Sequence, residues 1–91
     1  MRNWSRPELE QVASMVTAWK EAYFLQVGPG EGWEVLCEEL RDEIKEFIYP
    51  YVYKLFLIKF IERDEFEQFL RFCDDTVEEL RKMIEERNHA G

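Results

Sequence analysis

The stretch from Phe47 to Ile61, FIYPYVYKLFLIKFI, constrains this chain more than any other. Only Pro50, Lys54 and Lys59 interrupt an otherwise apolar and aromatic run. At 100° per residue the two lysines fall roughly 140° apart around a helix, so they do not mark a single wet face. A helix apolar on most sides belongs inside a bundle, or between two copies of one. The rest of the chain must supply its cover.

Three other helical patterns surround that stretch. Ser5, Pro7 and Glu8 carry a start signal: a capping hydroxyl, a first-turn proline and a glutamate three residues after the serine. Trp4 and Leu9 are placed to close a hydrophobic staple over it. Leu9, Val12, Ala13, Val16, Trp19 and Tyr23 then recur at three- and four-residue steps, and Gly28-Pro29-Gly30 ends the pattern. In the next segment Trp33, Leu36, Cys37, Leu40, Ile44, Phe47 and Ile48 share one side and charged residues fill the other. Pro50 removes an amide and crowds the carbonyl four residues back, which favours a break with a new helix restarting there over a kink. After Glu62-Arg63-Asp64-Glu65, with Asp64 and Glu67 spaced as a cap, a last stripe runs through Phe66, Phe69, Leu70, Cys73, Val77, Leu80 and Ile84. Glu67 with Arg71 and Glu78 with Lys82 stand in i to i+4 order, and Asn88 to Gly91 reads as a loose tail. The expectation is one all-α domain over residues 1–91: a four-helix bundle with short loops and roughly antiparallel neighbours, its helices at about 6–27, 32–49, 51–62 and 64–88.

Charge narrows the partners. A formal net charge of −8 argues against nucleic acid and against an anionic membrane surface, since both are held by Lys and Arg. The longest apolar run is shorter than the roughly 20 residues of a membrane-spanning helix and contains two lysines. The opening MRNWSRPELE has no secretory pattern, and two cysteines far apart in sequence fit reduced thiols, so a cytoplasmic protein is expected. Glu, Lys and Arg outweigh Ser, Thr, Asn and Gln, a bias of thermophilic proteins and also of long surface helices.

Little in the sequence points to catalysis, a metal or a cofactor, and none is expected. GPGEG at Gly28 to Gly32 lacks the lysine and hydroxyl of a phosphate loop and puts Glu31 where an anion would sit, so it reads as a helix-to-helix turn. His89 is the only histidine and no Glu-x-x-His pair exists for a dinuclear centre. Cys37 and Cys73 fall on apolar stripes, where a thiol acts as a small hydrophobe. Adjacent acids such as Glu38-Glu39 and Asp74-Asp75 diverge by about 100° on a helix and do not converge on one atom.

The aromatic cluster is the exception. Tyr49, Tyr51, Tyr53, Phe56 and Phe60 do not easily bury against three other helices, and ordinary core, a homodimer interface and a groove for a protein or small apolar ligand compete as readings of the cluster. These aromatics are the candidate interaction residues of a non-enzymatic protein-binding module, either a homodimer or an adaptor whose apolar face docks another protein. An acidic inhibitor of a basic partner is the alternative, motivated by charge alone. A small-ligand-binding or enzymatic bundle using Lys54 and Lys59 comes third. Otherwise these lysines lay their stems along aromatic faces.

Overall fold

The computed structural model describes residues 4, 6–27 and 32–90, and every regular element among them is helical. Helix α1 spans Pro7–Gln26 and α2 spans Trp33–Glu43. A π-helical turn covers Ile44–Ile48, α3 covers Tyr49–Leu57, and α4 covers Arg63–Ala90. The bundle has three rods, not four, because α2, the π turn and α3 run on as one helix from 33 to 57.

The break expected at Pro50 does not occur, and the π turn supplies the physical reason. Tyr49 donates its amide to Ile44 O, five residues back. The widened turn lies directly ahead of Pro50, where a regular helix would press a carbonyl against its ring. Pro50 then occupies the first turn of α3, where its missing N–H costs little.

The ends of the elements differ in detail from their expected caps. Pro7 opens α1 as expected, with Arg6 at the N-cap position. Ser5, the proposed cap, and the turn residues Gly28 to Glu31 lie outside the described residues. Glu8 Oε1 is buried with no hydrogen-bond partner among the described residues. Gly32 precedes α2 at φ 99°, a left-handed conformation with nothing within 4 Å of an added Cβ. Backbone conformation, not space, therefore favours glycine there. At α4 the cap is Glu62, not Asp64: its amide donates to Glu65 Oε1 at 2.9 Å, the returning arm of a capping box. Residues 88–90, expected as a loose tail, continue α4.

The core confirms the stripes read from spacing, with one exception. Leu9, Val12, Ala13, Val16 and Tyr23 of α1 are buried, as are Cys37, Leu40, Ile44 and Ile48 along the middle rod. From α4 come Phe69, Cys73, Val77, Leu80 and Ile84. Phe47 is the exception, turned out to solvent because the wide turn shifts the phase of its side chain. Trp4 packs on α4, its ring 5.3 Å from Phe69 and 5.5 Å from Phe72. Thr76, a buried polar residue, satisfies its hydroxyl by donating to Phe72 O at 2.8 Å.

Ion pairs fix the direction of the rods. Arg6 meets Glu65 at 3.2 Å and Lys20 meets Glu79 at 3.0 Å, both across an offset of 59 residues. α1 and α4 therefore run parallel, with the middle rod returning between them. Glu67 and Glu78 pair with Arg63 and Arg81, not with the expected Arg71 and Lys82. The Cα trace measures 47 × 25 × 16 Å with a radius of gyration of 14.4 Å. A compact domain of this length would have about 12 Å, so the molecule is elongated.

Candidate functional site

The middle rod buries one side of its far half and exposes the other. Ile48, Val52 and Leu55 are buried, and Tyr49 and Phe56 are half-buried beside them. On the opposite side six large apolar residues face solvent: Phe47 (59% exposed), Tyr51 (41%), Tyr53 (49%), Leu57 (57%), Ile58 (61%) and Phe60 (38%). Pro50 and Lys54 lie among them, also exposed. With each exposing about half of a side chain of roughly 200 Å², the six present on the order of 600 Å² of apolar surface. That is the upper end of the largest patch on a typical monomer.

Five residues were candidates from sequence, and they divide by depth. Tyr51, Tyr53 and Phe60 belong to the open face. Phe56 turns toward α4, where its ring stacks on Phe66 at 5.1 Å and 12°, and Tyr53 leans on the same pair at 6.4 and 6.0 Å. Tyr49 sits at the boundary with the core, and burial, followed by the charges on Cys73 and Asp74, pushes its hydroxyl up to about 12. Phe47, Leu57 and Ile58 join the face although spacing did not single them out. A helical wheel restarted after the wide turn would have found Leu57 and Ile58, but not Phe47, which lies within the turn.

The end of the face is held by a tight reversal. After Leu57 the chain turns through Lys59 at φ 63°, with Lys59 N donating to Phe56 O at 3.0 Å and Phe60 N to Leu55 O at 2.9 Å. These two bonds close the helix and bring Phe60 back beside it. The Arg6 guanidinium lies 5.2 Å from the Phe60 ring and also pairs with Glu65, tying the turn to both outer helices. Lys54 and Lys59 have no ion-pair partner among the described residues.

Two clefts lined by described residues lie elsewhere. One of about 720 Å³ runs between α1 and α4 over Ala13, Ser14, Thr17 and Ala18, with Glu10, Glu21, Asp75 and Glu79 also lining it. It exists because α1 offers small side chains there. The other, of about 170 Å³, lies by Trp33, Cys37, Arg41 and Arg81. Burial raises the Cys37 thiol, and Cys73 is likewise raised, to about 12, by burial and then by Asp74. Both thiols are thus held protonated and free. Among the described residues no three His, Cys, Asp or Glu side chains gather as a metal site, and no helix is long and apolar enough to cross a membrane.

Comparison with protein-family models, with curated proteins and with solved structures finds no match for this chain.

Proposed function

We propose that this chain is a non-enzymatic protein-interaction module whose docking surface is the open side of the middle rod. One observation carries the reading: six large apolar side chains stand together on a helix whose other side is already packed. Their exposure has a cost in water that a binding partner removes. The total surface points the same way. The chain exposes 6404 Å², where a monomer of its mass would expose roughly 5,700 Å². The excess reflects the elongated shape of a bundle that leaves its middle rod partly uncovered. Tyrosines suit such a surface because the ring is covered while the hydroxyl keeps a wet rim.

Photo-crosslinking in the cells that make the protein tests this. A photoreactive residue in place of Leu57 should give a discrete protein adduct, whereas one in place of Glu86 on the charged side of α4 should give none. Equal labelling from the two positions would refute the docking role.

A second reading, an acidic inhibitor of a basic partner, draws on the α1/α4 cleft, where four carboxylates line one depression. Lys20 already engages one of them, Glu79, at 3.0 Å, which places this reading below the first. Binding to a basic partner that is indifferent to added salt would count against it.

A further inference from the structure

We propose that the occupant of the aromatic face is a second copy of this chain, docked antiparallel about a two-fold axis passing between Tyr51 and Lys54. This rests on the docking role above and adds the identity of the partner and the register. Phe47, Tyr51, Lys54 and Ile58 are all exposed and are spaced by four, three and four residues, the spacing of a coiled-coil seam. A two-fold contact sets residue i against j and j against i. About this axis Phe47 meets Ile58 of the second copy, and Tyr51 meets its Lys54, each twice. The seam is therefore self-complementary: an aromatic ring faces a branched aliphatic chain, and the single cation of the seam faces a tyrosine ring. A cation held over the face of a ring is attracted by the negative charge of that face. A parallel pairing in register would instead set Lys54 against Lys54.

Charge and size agree with that occupant. Of 91 residues 20 are acidic, yet none falls between Phe47 and Ile61. Two chains carrying −8 each repel least with these segments together. Phe47, Tyr51 and Ile58 with the flanking Leu57 offer on the order of 400 Å² per copy, about half of the roughly 800 Å² per partner of a standard interface, and Pro50 and the Lys54 stem extend it. Docking opens nothing, because Ile48, Val52 and Leu55 stay in the core of their own protomer.

Sedimentation of the intact chain decides the matter. At micromolar concentration the wild type is expected to sediment as two 11.1-kDa copies. Phe47→Glu and Ile58→Lys, both at exposed positions, should each weaken association by about tenfold or more, with helical content by circular dichroism unchanged. Mixed in equal amounts, the two variants should regain a one-to-one dimer. One layer then sets the introduced carboxylate against the introduced ammonium, and the other keeps the native Phe47 to Ile58 contact. A wild type that stays monomeric overturns the second copy as occupant, while crosslinks from position 57 to a different protein would leave the docking role standing. A dimer untouched by either substitution, or variants that mixing does not rescue, overturns the proposed seam.

Discussion

Lys59 holds a left-handed backbone, φ 63°, at the residue that closes α3. A side chain there costs about 1 kcal/mol that glycine avoids, part of which glycine gives back through its freer unfolded chain. Lys59→Gly is therefore expected to raise stability by about 0.5–1 kcal/mol, read as a higher urea midpoint with unchanged slope. Titration makes a second residue-scale case. Burial pushes Cys73 and Tyr49 up to about 12, and Tyr23 is raised by burial and by the Glu43 carboxylate that accepts its hydroxyl proton. Each folded value lies above the ordinary one, so the fold favours the neutral form. Their contribution is complete below the ordinary values of 9.0 for the thiol and 10.0 for the phenols, and is lost as pH rises toward the folded ones. Urea midpoints should hold level up to about pH 9 and fall above it. In Cys73→Ala the fall should be shallower, with Cys37 still contributing from its ordinary value of 9.0 and the tyrosines from 10.0.

Among the elements, α4 depends most on a single side chain. Phe69 is fully buried and its ring touches those of Trp4 and Phe72. Phe69→Ala should cost about 3–5 kcal/mol, measured by urea unfolding, a large share of the 5–15 kcal/mol of a typical domain. The inner stripes of α1 and α4 were legible because their period is regular and each position has one role. The middle rod was not, and the misreadings share one cause. Pro50 carries a strong local signal for interruption, and nothing in Ile44 to Ile48 announces the widened turn that accommodates it. That turn also hid the outward aim of Phe47 and with it the full extent of the face. The cap of α4 was missed differently: Asp64 and Glu67 match the spacing of a capping box, but the returning arm runs between the Glu62 amide and Glu65, because the cap lies two residues earlier.

For the whole molecule, shape and charge act together. An elongated three-rod bundle leaves the middle rod partly uncovered, and the same rod carries the only long segment without a carboxylate. Added salt should therefore tighten self-association, because it screens the repulsion between two chains of −8 and removes little attraction from an apolar seam. Sedimentation across a salt series checks the sign, and an ionic contact would weaken instead. The widened turn has a last consequence. It lies where the rod passes from packing beside α1 and α4 to presenting Tyr51 and Ile58. Excising Lys45 would leave a regular spiral in which Tyr49 becomes the fourth residue after Ile44 and keeps its bond to that carbonyl, so the faces beyond the cut keep their directions while Pro50 loses the widened turn ahead of it. Such a shortened chain should keep both its far-ultraviolet helical signal and its near-ultraviolet aromatic signal, yet unfold at lower urea because Pro50 then crowds a carbonyl of an unwidened helix. One surplus residue thus lets a proline stand in mid-rod without turning either half away from its neighbours.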